Sequence, residues 1–315
     1  MFFEFLRAKI LINLLIKHEC FRLLVVSLLF FNQSIHSEEG YQKFTDCSGQ
    51  DFSVSGITSI YSFSDIQPEL DGAGPETLVI FDVDDVLITY NDMVLRPCGA
   101  HFLPESWNDI DSKKIPYLMS IMLNEGEIIL VDPSTPRLLN NLRDRGVKII
   151  ALTAARTGKF GVIEKAEDWR LKILKQFNFD FYKSFPKNQV IYFSDEGKKE
   201  NEYSIFKDGV LFLGDEKNTK GALLVQFLDR IQWKPKKVIF FDDKMSYLIS
   251  VETALNKAKI PFQGYQYKGV ERLPGVINKQ IAEFQFTYLL KEHKWLSDSE
   301  AQKKNKCLLE GDFRL

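Results

Sequence analysis

The chain has 315 residues, 45% hydrophobic and 27% charged, with 41 Lys and Arg against 43 Asp and Glu and a formal net charge of −2. These are the proportions of an ordinary folded protein of one large domain or two smaller ones, and they exclude a disordered, collagen-like or coiled-coil chain. The lack of a basic excess argues against nucleic acid as a partner.

At the N-terminus, Arg7, Lys9, Lys17 and Arg22 precede a nine-residue apolar run, Leu23–Phe31, and polar NQSIHSEE follows. Residues 1–37 therefore read as a secretory signal cleaved near Ser37. The alternative is an uncleaved anchor over Ile10–Phe31. It would hold Lys17, His18, Glu19 and Arg22 in hydrocarbon, which is costly, and nine apolar residues alone are too short to span a bilayer. The expectation is an exported protein, periplasmic or secreted, with no stable membrane span after cleavage. Removal of the signal leaves 37 basic and 41 acidic side chains, a net charge of −4. Cys47, Cys98 and Cys307 remain, an odd number without CxxC or zinc spacing, so one disulfide at most can form. His18, His36, His101 and His293 are scattered, which argues against a histidine-based metal site.

Residues 38–76 form a polar N-terminal extension, expected to be mostly loop with a short helix near Ser62–Leu70. Thr77–Phe81 (TLVIF) is a continuous apolar run, the pattern of a strand buried on both faces. The pattern over 101–125 is helical, Glu127–Val131 is a short strand, and Thr135-Pro136 starts a helix as its cap and first residue. Gly146 stops that helix, and Val147–Leu152 is the next strand. A helix over 165–177 follows, then a hairpin of Tyr203–Phe206 and Val210–Leu213 around Lys-Asp-Gly. Lys220–Leu228 is an amphipathic helix, Lys237–Phe241 a third buried strand, Phe262–Tyr267 a further strand, and 276–303 is helical. Strands alternating with helices predict an α/β fold, a Rossmann-like parallel sheet with helices on both faces. Ligands in such sheets bind at the carboxyl ends of the strands.

Three polar clusters fall at those ends. Asp82, Asp84 and Asp85 follow the first buried strand; three acids there repel one another unless a cation lies among them. One acid would suffice for a helix cap or turn, and the EF-hand pattern fails because Val86 and Leu87 occupy its fifth and sixth positions. Asp242-Asp243 repeats the arrangement after another strand ending in Phe. Carboxylates from two neighbouring strands can share one hard cation, and Mg²⁺ suits few carboxylates plus waters. Thr153, at a third strand end, can bond a phosphoryl oxygen or cap a helix. Lys220, opening a helix, can neutralise a nucleophile and a phosphate or simply be solvated. Lys217 and Lys244 compete with it for that role.

On these residues the sequence resembles the haloacid dehalogenase (HAD) superfamily of phosphotransferases over roughly 77–267. Asp82-Val83-Asp84-Asp85-Val86 matches the first motif of that family, Thr153 in IIALTAAR the second, Lys220 the third and Asp242-Asp243 in VIFFDDK the fourth. LTAAR, KDGVLFLG and KGALLVQFL look like a group of exported, uncharacterised HAD-like proteins of intracellular bacteria. The resemblance implies Asp82 as a nucleophile forming an aspartyl-phosphate and Asp84 as general acid and base. It implies Mg²⁺ held by Asp82, Asp242 and the backbone carbonyl of Asp84. Many relatives carry a further acid where Ser246 and Tyr247 stand here, so Asp243 serves instead. Arg156 is a candidate substrate contact, or a salt-bridging arginine of the following helix start. The implied organisation is a HAD-like domain over 77–270, with a small cap insertion at about 88–130 and a second insertion at 158–208. A C-terminal helical region, 271–315, follows. The implied function is an exported Mg²⁺-dependent phosphatase acting on a small phosphorylated substrate or a phosphoprotein. The alternative is a non-enzymatic binding protein or secreted effector on the same fold.

Overall fold

A computed structural model describes residues 56–311 except 100, 101, 103, 105, 106, 108, 109, 189, 194–202 and 215–217. The expected signal, its cleavage site and Lys217 lie outside the described residues. The described residues divide into two units: Tyr90–Glu127 with residues 275–311, and residues 56–89 with Ile128–Pro274.

The larger unit is built on an eight-stranded sheet. Its strands are β1 (Ile57–Ile60), β2 (Thr77–Phe81), β5 (Lys148–Thr153), β6 (Val190–Tyr192), β7 (Ile205–Lys207), β8 (Val210–Phe212), β9 (Lys237–Asp242) and β10 (Phe262–Tyr267), in the order β1-β10-β9-β2-β5-β8-β7-β6. All pair in parallel except β7 and β6 at one edge. β3 (Ile88–Tyr90) and β4 (Ile128–Leu130) make a separate two-stranded ladder. The helices of this unit are α1 (Gln67–Asp71), α3 (Thr135–Asp144), α4 (Ala166–Gln176), α5 (Lys220–Arg230) and α6 (Met245–Lys257).

The uninterrupted apolar runs have the expected cause. Val79, Phe81, Ile149, Ala151, Ile239 and Phe241 join Leu139 and Leu142 of α3 and Leu171 and Leu174 of α4 in one buried cluster. Strand side chains alternate in direction, so Leu78, Ile80, Ile150, Leu152, Val238 and Phe240, equally buried, face the opposite layer. There the Phe227 ring of α5 lies 4.3 Å from Phe206. α5 and α6 approach so closely that a Cβ on Gly221 would stand 2.1 Å from the Ser250 carbonyl oxygen. The hairpin turn is as expected, with Asp208 and Gly209 both at positive φ (49° and 83°), the backbone a two-residue hairpin loop demands.

Several expectations need correction. The extension, expected to be mostly loop with one short helix, also carries a strand in its described part: Ile57–Ile60 forms edge strand β1, parallel to β10. The short helix is present as a 3₁₀ turn, Phe63–Ile66, running into α1, with Ser62 and Asp65 in a reciprocal capping box. Glu127–Val131 does contain a strand, but it pairs with Ile88–Tyr90 rather than joining the main sheet. Thr135 is the first residue of α3, not its cap; Ser134 holds the cap position, and the Ser134 N–H is already satisfied by Asp132 Oδ1. Edge strand β6 had no sequence signal.

In the smaller unit the helical pattern expected over 101–125 appears, among the described residues, as α2 (Ile115–Glu125). The C-terminal region forms α7 (Lys279–Glu292) and α8 (Asp298–Gly311), broken where His293 turns left-handed. The insertion and the C-terminal region are not separate: Asp92 accepts hydrogen bonds from Trp295 Nε1 and the Asp298 N–H, at 2.9 and 2.8 Å. Trp107 and Trp295 both stack edge-on against Phe286. Among the described residues, no helix is long and apolar enough to cross a membrane.

Candidate functional site

The strand order places the chemistry. From β2 the chain moves to β5 and β8 on one side, then returns to β9 and β10 on the other. β2 therefore lies where the order reverses, the place where open α/β sheets bind ligands at the strands' carboxyl ends. Phe81 pairs with Phe241, so the next residues, Asp82 and Asp242, come out side by side. The Asp82 N–H still donates to the Phe241 carbonyl at 2.8 Å.

Lys220 is the first residue of α5, whose cap Thr219 accepts from the Ala222 N–H. Its side chain is fully buried, with Nζ 2.6 Å from Asp242 Oδ2 and 3.0 Å from Asp82 Oδ1. The structure thus puts the Lys220 ammonium between the two acids, while Lys244 occupies the N-cap position of α6 and donates its backbone N–H to Asp242 Oδ1. Asp82 Oδ1 also accepts from the Val83 N–H at 2.8 Å. Its other oxygen takes no hydrogen bond from a described residue.

Asp82, Asp242 and Asp243 present carboxylate oxygens that all lie within 4.8 Å of one another. One ammonium cannot neutralise three such acids. Burial and the neighbouring acids Asp243 and Asp84 hold Asp82 up at about 6, although Lys220 pulls it down. Burial also lifts Asp242 and Asp243 above the usual carboxylate range. Burial alone would lower the Lys220 ammonium, but Asp242 and Asp82 outweigh it and raise it. The donor set, hard oxygens with an excess of negative charge, fits Mg²⁺ completed by waters.

The remaining candidates are distributed around this cluster. Thr153, buried at the end of β5, accepts the Ala155 N–H on Oγ1 at 3.1 Å, which leaves its own hydrogen to donate. Arg156, partly buried on the following loop, lies 5.4 Å from the Phe160 ring. The carboxylate of Asp84 is not among the three gathered acids; it pairs with Arg170 Nη2 at 3.0 Å.

Two participants were missed, Arg170 and Tyr247, and Asp85 takes a different part from the expected one. Arg170 lies on the buried face of α4. Its signal is the spacing of Glu167, Arg170, Leu171 and Leu174 at i, i+3, i+4 and i+7, which puts two charges on the core stripe. Tyr247 presents its ring 4.3 Å from Lys220 Nζ. Asp85 is buried at positive φ (63°) and accepts from the Thr89 hydroxyl at 2.7 Å, which fixes the turn after Asp84.

Over 259 residues the chain is 26% identical to an uncharacterized protein of Rickettsia prowazekii (strain Madrid E), covering 80% of this chain and 89% of that one. An uncharacterized protein of Rickettsia bellii (strain RML369-C) is 29% identical over 61% of this chain and 68% of its own. A Chlamydia trachomatis serovar D protein, named "Putative outer membrane protein", is 25% identical over 67% of this chain and 76% of its own. No solved structure matches. The family model described as "Protein of unknown function (DUF2608)" matches residues 59–302, and the chain belongs to that family.

Proposed function

We propose that this chain is an exported, Mg²⁺-dependent phosphatase of the haloacid dehalogenase type, hydrolysing a phosphomonoester through an aspartyl-phosphate on Asp82. The observation that carries this reading is the fully buried Lys220 ammonium between Asp82 and Asp242 at a topological switch point. A nucleophilic carboxylate must approach an anionic phosphoryl group, and a buried cation lowers that repulsion.

In the first half-reaction Asp82 attacks phosphorus, and the bond from phosphorus to the ester oxygen breaks. Asp84 gives its proton to that oxygen. In the second half Asp84 takes a proton from water, water oxygen bonds to phosphorus, and the Asp82–phosphorus bond breaks to release phosphate. Thr153 donates its hydroxyl hydrogen to a phosphoryl oxygen, and Lys220 neutralises charge on Asp82. Asp82, Asp242, Asp243 and the Asp84 backbone carbonyl would hold Mg²⁺, which supplies charge neutralisation at the phosphoryl oxygens.

The raised carboxyls give a pH prediction. The folded, metal-free protein retains protons that the unfolded chain has already lost. This contribution to stability is complete below the ordinary carboxylate range, and the Asp82 share is lost as pH rises through about 6. Mg²⁺ competes with those protons. The expected result is a rise in melting temperature with millimolar Mg²⁺ that is larger at pH 8 than at pH 5. At 100 times Kd the stabilisation is about 2.7 kcal/mol. A melting curve at pH 8 that ignores Mg²⁺ would contradict the metal assignment.

Export is supported by the basic segment and apolar run ahead of residue 37, and by the name of the Chlamydia relative. N-terminal sequencing of the mature protein should find a start near Ser37. A soluble cytoplasmic protein that retains Met1 would contradict export.

A further inference from the structure

We infer, resting on the site reading above, that Arg170 is a positioning residue that holds the Asp84 carboxylate in line for proton transfer. None of the four motifs contains it.

Asp84 sits in the tight turn after β2 with its side chain 39% exposed, and Arg170 Nη2, at 3.0 Å, is the partner of its carboxylate. Without that partner a half-exposed aspartate is free to rotate between staggered side-chain positions. Arg170 is by contrast immobilised: its side chain is 6% exposed, and its guanidinium carbon lies 4.8 Å from the Trp169 ring centroid.

The pattern of its bonds points away from a purely structural role. Arg170 Nε and Nη1 are buried with no hydrogen-bond partner, a costly state for a group with five donors. The neighbouring buried acid, Glu167, is already occupied by the Gly158 N–H and the Tyr203 hydroxyl. Arg170 thus spends its ion pair on Asp84, beside the gathered acids. Arginine suits the task chemically. Asp84 must lose and regain a proton in each turnover, and a guanidinium does not deprotonate, so it orients the carboxylate without competing for that proton. Arg170 binds one oxygen, and the other remains to exchange the proton with the leaving oxygen and then with water.

The test uses the full chain with wild type, Arg170→Met, Arg170→Lys, Asp84→Asn, Asp82→Asn and the Asp84→Asn/Arg170→Met double variant. Each is assayed with Mg²⁺ on an alkyl phosphate and on nitrophenyl phosphate, with kcat and KM separated. Misplacing a catalytic group by about 1 Å costs about 10²-fold. Arg170→Met should therefore lose about that much kcat on the alkyl phosphate, much less in the nitrophenol burst, and little in KM. Arg170→Lys should recover part of the loss, and the double variant should be no worse than Asp84→Asn. Equal losses for both leaving groups, a change confined to KM, or additive losses in the double variant would overturn the inference while Asp82 dependence stands. If wild type shows no turnover, or Asp82→Asn turns over like wild type, the site reading itself fails and the inference falls with it.

Discussion

Asp82→Asn is expected to reduce turnover to background while the protein stays folded. An amide is a poor nucleophile toward phosphorus, so the covalent step has no attacking group. The fold should survive because Asn is close to isosteric, the residue lies at a strand end, and Lys220 keeps its 2.6 Å contact with Asp242. The sign of the stability change is itself a test. Burial holds Asp82 up at about 6, so its charged form is unfavourable in the metal-free fold at pH 8. The variant should then melt at or above the wild-type temperature at that pH without metal, and should respond less to Mg²⁺. Activity lost together with several degrees of melting temperature would instead mark Asp82 as a structural acid.

The second large effect belongs to Lys220. Lys220→Met keeps the length of the side chain but leaves Asp82 and Asp242 without their cation. Removing one partner of a buried ion pair costs about 3–5 kcal/mol, and each kcal/mol is worth about 2–4 °C in a protein of this size class. The loss should be larger at pH 8 than at pH 5, because protonation of carboxyls left without their cation relieves it. Mg²⁺ at millimolar concentration should restore part of it. Turnover should fall as well, because the carboxylate nucleophile then meets the phosphoryl group without a neighbouring positive charge. Denaturant titrations at pH 5 and pH 8 read this directly; a change under about 1 kcal/mol that is indifferent to pH would place Lys220 among ordinary solvated lysines.

The parts of the site legible in the sequence share one property: they follow directly from a local pattern. TLVIF and KVIFF are buried on both faces, so their length and uninterrupted apolarity mark central strands, and the acids after them mark the carboxyl ends. Lys220 was legible only as one of several lysines. Choosing it needs the close approach of α5 to α6, which depends on Gly221 and on a contact with Ser250 twenty-nine residues away. Arg170 was obscured because a charge on a helix is ordinarily solvent-facing, and only the i, i+3, i+4, i+7 spacing places it inward. β1 was obscured because ITSI is four residues long in a polar stretch and gains its place from pairing with β10, two hundred residues on. The joining of the insertion to the C-terminal helices depends on Asp92 meeting Trp295 and Asp298, and no local pattern links those positions. The same holds for Asp84: its place two residues after Asp82 was plain, but its ion pair with Arg170 was not.

The covalent step is the claim on which the rest depends, and acid-quenched mass spectrometry of the full chain turning over a phosphomonoester with Mg²⁺ tests it most directly. The account predicts one added phosphoryl group on the peptide containing Asp82, absent in Asp82→Asn and accumulating in Asp84→Asn, where no base activates water for the second step. Turnover without phosphate on Asp82, or phosphate carried by another residue, would contradict it.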